Sequence, residues 1–159
     1  MALQSMTALA SITLQAGTAS VSFSGIPQNY RDLVLVFNGT TAIADGVGSR
    51  YNGDAGNNYS AVRMTGSSAG AISDSFSSFS RIIETAGNTD ERTLYVSNIL
   101  DYSATDKHKT VLTRSSIASN VTGIASRWVN TNAISSITVF SPGSTISVGA
   151  TFNLYGRIG

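Results

Sequence analysis

Few side chains in this sequence are suited to acid–base, nucleophilic or metal chemistry. The chain has one histidine, His108, and no cysteine, which excludes thiolate nucleophiles, thiolate metal sites and disulfides together. His108 stands between Lys107 and Lys109 at the polar start of a strand pattern. A solvated edge histidine is a better interpretation of it than the base of a Ser–His–Asp triad. One histidine also leaves a catalytic zinc site short of ligands.

The acidic residues are equally sparse. The chain has two glutamates, Glu84 and Glu91, and seven aspartates, most of them in predicted turns. Catalysis by a pair of carboxylates is therefore not expected. Residues 52–58, NGDAGNN, offer several oxygen ligands but lack the spacing and acidic count of a dedicated calcium loop, and turn chemistry accounts for them. We therefore expect no catalytic residues, no metal and no cofactor, and predict that the protein is not an enzyme.

Arginine is used more than a merely solvated surface requires, with eight arginines against two lysines. A planar guanidinium group with several donors can bridge to carbonyls or carboxylates of a neighbouring subunit. Isolated surface pairs and pairs within one chain are the alternative. Five arginines lie within or beside strand patterns and are our candidate contacts with another subunit or a partner: Arg50, Arg63, Arg92, Arg114 and Arg127.

Two further segments are candidate contact elements. Residues 66–80, GSSAGAISDSFSSFS, are rich in serine and glycine but contain Ile72, Phe76 and Phe79. We predict a long loop there that docks through these three residues on its own domain or on a neighbour. Residues 1–10 are predicted to form an extended arm that can lie along a neighbour as an added strand.

The elements that must position these residues are predicted to be strands. Residues 19–24 alternate apolar and serine side chains, the pattern of a strand with one buried face, and residues 33–37 are apolar at every position. A strand of the second kind must be covered on both faces, so we expect it to be central. Pro27, which lacks an N–H group, breaks the pairing between the two strands and predicts a crossing loop.

The rest of the chain continues as short strand patterns with turn signals about every ten residues. The last pattern, residues 146–158, places Ile146, Val148, Ala150, Phe152, Leu154 and Ile158 on one face. No segment shows a helical period longer than about two turns. We predict an all-β protein: a two-sheet antiparallel β-sandwich of the jelly-roll type, with eight to ten strands in a single domain over residues 1–159.

The amino-acid composition disfavours two classes of partner, nucleic acids and membranes. The chain is 42% hydrophobic and only 12% charged, with a net charge of +1, which gives no electrostatic footprint for nucleic acid or an anionic membrane. No apolar run approaches the length of a membrane span, and the N-terminus lacks the basic region of a signal peptide. We expect no nucleic acid or membrane partner and no secretion through a signal peptide.

Three stretches carry a resemblance to a known family: residues 22–36 (SFSGIPQNYRDLVLV), residues 50–66 (RYNGDAGNNYSAVRMTG) and residues 137–159 with their Leu154-Tyr155-Gly156 ending. They resemble small virion proteins of tailed bacteriophages, which recur in cyanophages. Related jelly-roll proteins of that family act as capsid decoration (cement) proteins or as parts of tail adhesins. The family supplies no catalytic residues to carry over.

The resemblance implies a leading hypothesis and leaves two alternatives open. The first is a capsid decoration protein, a homotrimer that is made in the host cytoplasm and binds the shell of major capsid protein on the virion surface. The second is a tail-fibre or baseplate adhesin, and the third is a free carbohydrate-binding module of cellular origin. For the adhesin, four aromatic residues are candidates for stacking on sugars of the host surface: Tyr30, Tyr51, Tyr59 and Trp128.

Overall fold

The computed structural model describes residues 5–43, 46–85 and 91–159. These residues form twelve strands and no helix, so no helix capable of spanning a membrane is present among them. The strands are β1 (Met6–Thr13), β2 (Ser20–Ser24), β3 (Asp32–Gly39), β4 (Gly48–Tyr51), β5 (Tyr59–Ser67), β6 (Gly70–Phe79), β7 (Ile82–Ile83), β8 (Thr93–Leu100), β9 (Lys109–Ile117), β10 (Asn120–Trp128), β11 (Ser136–Phe140) and β12 (Thr151–Arg157).

The strands form two antiparallel sheets that pack face to face. The large sheet has the order β1-β12-β3-β8-β9-β10-β5-β6, and the small sheet has the order β2-β11-β4-β7. The predicted all-β, two-sheet antiparallel sandwich of the jelly-roll class is confirmed. It contains more strands than the eight to ten predicted, in part because β6 lies in a segment that was expected to be a loop.

The core lies between the sheets and is built by alternation. In β3, Leu33, Leu35 and Phe37 are fully buried on the inner side, and the strand lies between β12 and β8, as its continuous apolar sequence predicted. β2 belongs to the small sheet and contributes Val21 and Phe23. The segment around Pro27 therefore carries the chain from one sheet to the other.

Residues 66–80 are not a long loop, and that prediction is wrong. β5 continues to Ser67, and β6 runs back beside it from Gly70, whose φ of 124° suits a tight turn. Residues 70–76 of β6 pair one for one with β5, and Ser73 and Ser75 lie on the outward side opposite Met64 and Val62. The period of two was hidden because Asp74 interrupts the inner series between Ile72 and Phe76, and a bulge at residues 77–78 shifts Phe79 out of phase.

Both ends of the chain differ in detail from the patterns. β12 begins only at Thr151, because the chain turns at Gly149 (φ 80°), and Val148 and Ile158 are exposed rather than buried. At the N-terminus, residues 6–10 belong to β1, which pairs with β12 of the same chain as an edge strand. The remaining residues of the predicted contact arm, 1–4, lie outside the described residues.

A glycine in β12 fixes how the crossing loop packs. A Cβ atom added at Gly156 would overlap Cγ of Tyr30, whereas one added at Gly123 in β10 would meet nothing within 4 Å. The ring of Tyr30 therefore covers Gly156 directly.

We expect Gly156→Ala to lower the free energy of unfolding by about 1–3 kcal/mol, because the added methyl group overpacks against the base of the Tyr30 ring. The matched control is Gly123→Ala, which should be neutral or stabilising because the site is open. Urea unfolding of both variants measures the difference. Equal effects of the two substitutions would show that Tyr30 does not depend on Gly156.

Candidate interaction surface

One face of the large sheet is not covered by the small sheet. On β8, β9, β10 and β5, every second residue points away from the core, beginning at Leu94, Thr110, Val121 and Ser60 respectively, with four such positions on each strand. We call these positions the outer face. Several large apolar side chains there are about half exposed or more: Val62 52%, Met64 64%, Leu94 46%, Leu112 47% and Val121 65%.

The strand register brings these residues together. The central row of the outer face runs Val96, Arg114, Gly123 and Met64 from β8 to β5. The rows on either side of it are Leu94-Ser116-Val121-Gly66 and Asn98-Leu112-Ala125-Val62. Because large exposed apolar patches mark interaction sites on soluble proteins, the outer face is our candidate interaction surface.

The charge on the outer face has one sign. Arg114 and Arg127 are both exposed there, and none of the sixteen outward positions on β8, β9, β10 and β5 is Asp or Glu. Arg92 lies at the border, where its Nη1 donates to Oδ1 of Asn38 at 3.0 Å. Three of the five candidate arginines therefore lie on or beside the outer face.

The other two arginines make contacts within the chain. Arg63 donates to Oδ2 of Asp74 from Nε and Nη2, at 3.2 and 2.7 Å, and its guanidinium group lies 5.1 Å from the ring centroid of Phe76. Arg50 donates to the carbonyl oxygen of Ser80 at 2.9 Å. Arg50 and Arg63 therefore fit the alternative interpretation, in which arginines form contacts within one chain.

The three apolar candidates of residues 66–80 separate in the same way. The Phe76 and Phe79 rings meet edge to face at 5.2 Å and pack on a small buried cluster that includes Ala61 and Ile124. They dock on their own domain, which was one of the two possibilities. Ile72 is 62% exposed and remains available for contact.

Three of the four candidate sugar-stacking residues are in the core, which corrects that assignment. Tyr51, Tyr59 and Trp128 are at most 1% exposed, and their rings pack against one another at 5.6–6.4 Å. Tyr30 is half-buried over Gly156. The alternation of β5 contained the missed signal: Tyr59 and Ala61 share the inner side, so the apolar Val62 and Met64 must point outward.

The loop at residues 52–58 is a structural turn, as its composition indicated. Asn52 and Gly53 have φ angles of 51° and 70°. The Asp54 carboxylate accepts hydrogen bonds from Nε1 of Trp128 (2.7 Å), Nδ2 of Asn58 and the backbone N–H of Gly56. Burial acts to raise the Asp54 pKa, but these hydrogen bonds outweigh it and hold the pKa below its ordinary value. The Asp54 carboxylate therefore acts as the hydrogen-bond acceptor for the N–H group of the buried Trp128 indole.

Sequence reasoning missed a buried carboxyl group, Glu84, which lies fully buried between the sheets. Ser49 donates to Oε1 at 2.7 Å and Thr113 to Oε2 at 2.8 Å, and Ser97 also donates to Oε2. Ser49 belongs to the small sheet and the other two residues to the large sheet, so Glu84 links the two. Burial raises the pKa of Glu84, although the three hydroxyl groups counteract it.

Lys109, at the start of β9, is also fully buried, and it forms no ion pair among the described residues. Its Nζ donates to the carbonyl oxygens of Lys107 at 2.9 Å and Thr131 at 3.1 Å. Burial lowers the pKa of Lys109. The neighbouring His108 is exposed, and no group of three histidine, aspartate or glutamate side chains suited to a metal occurs among the described residues.

Asp54→Ala is expected to lower the free energy of unfolding by about 1–3 kcal/mol, because the Trp128 N–H group would remain buried without its acceptor. Asp106→Ala is the control, since Asp106 is exposed and such changes usually stay within about 0.5 kcal/mol. Chemical denaturation followed by Trp128 fluorescence compares them. A loss no larger than that of the control would remove the structural role assigned to Asp54.

Glu84 should make the stability depend on pH. Its pKa in the folded state lies above the ordinary value of 4.5, so the unfolded chain ionises first as pH rises. The stability contribution is therefore full below about pH 4.5 and declines as pH rises through the raised pKa. Glu84→Gln should remove this decline, so that the variant gains stability relative to the wild type with increasing pH.

Thermal unfolding of both proteins across this pH range measures the effect of Glu84→Gln. Glu91→Gln, at an exposed position, is the control and should follow the wild type. A difference between Glu84→Gln and the wild type that stays constant with pH would contradict the assignment.

Comparisons with known proteins add no functional assignment. No family model matches the chain, and no curated protein matches it. Among solved structures, a marine PL-14 alginate lyase from Aplysia kurodai has 7% identity and a TM-score of 0.39 over 83% of this chain and 70% of the lyase. Alginate lyase Aly36B has 11% identity and a TM-score of 0.41 over 92% of this chain and 77% of that one. The CBM40 of a Ruminococcus gnavus IT-sialidase, bound to α2,3-sialyllactose, has 7% identity and a TM-score of 0.36, over 92% of this chain and 91% of that one.

Proposed function

We propose that this protein is a virion structural protein of a tailed bacteriophage, a decoration protein that binds the shell of major capsid protein through its outer face. The observation that supports this most directly is the exposed apolar surface of β8, β9, β10 and β5, with Arg114 at its centre. The resemblance of residues 22–36, 50–66 and 137–159 to small virion proteins supplies the biological setting. On this proposal the protein binds and stabilises, and does not catalyse.

A broad binding face suits a protein that reinforces a shell. A decoration protein meets the same subunit surface many times, so it needs a modest contact that is repeated by symmetry rather than one deep pocket. The outer face offers that kind of surface, because Leu94, Leu112 and Val121 stand on a hydrogen-bonded sheet with no loop over it in the described chain. A strand-built surface loses little conformational freedom on binding.

Assembly into a trimer would strengthen such binding. Once one subunit is bound, its partners act at high effective concentration, so moderate single contacts suffice. We propose a homotrimer on the capsid surface, in keeping with the family resemblance. Ile72, which is exposed on the side of the sheet opposite the outer face, leaves a separate surface for contacts between subunits.

The tail-adhesin and carbohydrate-module alternatives have less support from this structure. The adhesin alternative relied on four aromatic residues for stacking on sugars, and three of them, Tyr51, Tyr59 and Trp128, are buried in the core. An adhesin of this sequence would need a different set of binding residues.

The location of the protein in intact particles tests the proposal. We expect a copy number comparable to that of the major capsid protein and density over the head, measured by quantitative gel analysis and cryo-electron microscopy of purified particles. A few copies confined to the tail tip would falsify decoration and favour the adhesin, and absence from the particle would favour the free module.

A further inference from the structure

We propose that the outer face recognises a protein surface of opposite charge, in which a carboxylate surrounded by apolar side chains binds Arg114. This inference rests on the proposed function for the identity of the partner, the capsid shell, but its chemistry follows from the outer face alone. Arg114 is the specificity residue of the contact, and Arg127 lies at the margin of the same surface.

The surroundings of Arg114 match an acidic and apolar partner. Arg114 borders a shallow hollow of about 170 Å³ whose lining includes Leu94, Val96, Ser116 and Val121. An apolar cavity of roughly 150 Å³ is enough to hold a benzene molecule, so the hollow has room for one apolar side chain of a partner. A carboxylate beside that side chain would meet the Arg114 guanidinium group, which binds carboxylates with two parallel hydrogen bonds.

Charge decides against a second copy of the same face as the occupant. A symmetric pair buries the same surface from both chains, so Arg114 and Arg127 of each copy would enter an interface to which the outward positions of β8, β9, β10 and β5 bring no carboxylate. Like charges that face each other across an interface disfavour it. A partner of different sequence that carries acidic residues would pair with these arginines and neutralise their charge.

Gly123 supplies independent support. It lies in the interior of β10, next to Arg114 on β9 and Met64 on β5. Glycine weakens a strand interior and often marks a place where another backbone or a ligand approaches closely. A Cβ atom there would meet nothing within 4 Å, and its φ is not in the left-handed region. The fold itself therefore gives no reason for glycine at this position, whereas a closely approaching partner does.

Binding to virion parts tests the recognition chemistry. Heads and tails are purified separately from particles that lack this protein, and the wild type is titrated onto each. We expect Arg114→Glu to weaken binding by about tenfold or more, as for a central hot-spot residue, and wild-type binding to weaken as salt is raised. Arg31→Glu is the matched control: it makes the same change in net charge at an exposed arginine in the β2–β3 connection, away from the outer face, and should bind like the wild type.

Gly123→Val separates binding from stability. A β-branched side chain suits an open strand position, so the midpoint of thermal unfolding should be unchanged or higher. The same side chain would hold a partner away from the sheet, so binding should fall by about tenfold or more. Loss of binding together with retained stability is a result that a purely structural role of Gly123 would not produce.

The outcomes distinguish this inference from the proposed function. If the wild type binds heads and both variants bind equally well, decoration stands and the inference is overturned. If it binds tails, and both variants lose that binding, decoration fails while the inference stands. Binding to neither part overturns both. Light scattering supplies a further check: self-association of the wild type that Arg114→Glu or Gly123→Val abolishes would make the outer face an interface between copies and would overturn the acidic partner.

Discussion

The four-stranded sheet covers only one face of the eight-stranded sheet, and the rest of the structure depends on this one-sided cover. Each strand of the large sheet presents two faces, and the small sheet covers only the inner one. Burial of inner residues such as Phe37, Tyr95 and Phe152 supplies the hydrophobic driving force. The outer face remains exposed to water, so its apolar residues, which are about half exposed, gain less from burial within the chain than the core residues do. The partner proposed above would bury them further.

The carboxylates of Asp54 and Glu84 are tolerated at their positions because each accepts hydrogen bonds from a specific set of donors. Asp54 accepts the Trp128 indole N–H, and Glu84 accepts hydroxyl groups from both sheets. Removing such a partner costs more than forming the bond gains, because the remaining group stays buried without compensation. These contacts therefore fix which strands face each other, while the apolar core supplies most of the stabilisation. The aromatic residues that a sugar-binding surface would need are used in this core instead.

The sequence predicted the fold class because period-two alternation is a local property. The continuous apolar run of β3 indicated its central place, and the crossing at Pro27 followed from a missing N–H group. The sequence failed where the alternation was interrupted. Asp74 at an inner position and the bulge at residues 77–78 concealed β6, and Val148 looked buried because the turn at Gly149 could not be read from its neighbours. For the candidate contacts, the pattern identified arginines within strands but not which face each would occupy.

The sequence alone determined that the chain is built of strands, that its surface carries few charges and that arginine outnumbers lysine. Only the tertiary structure decided the role of each candidate residue. Arg63 on β5 and Arg114 on β9 stand on the two strands that flank β10, yet Arg63 points inward to Asp74 and Arg114 outward to solvent. The physical reason is that register and sheet packing set which side of a strand is buried. Those depend on pairings such as Arg114 with Gly123, which a local pattern does not encode.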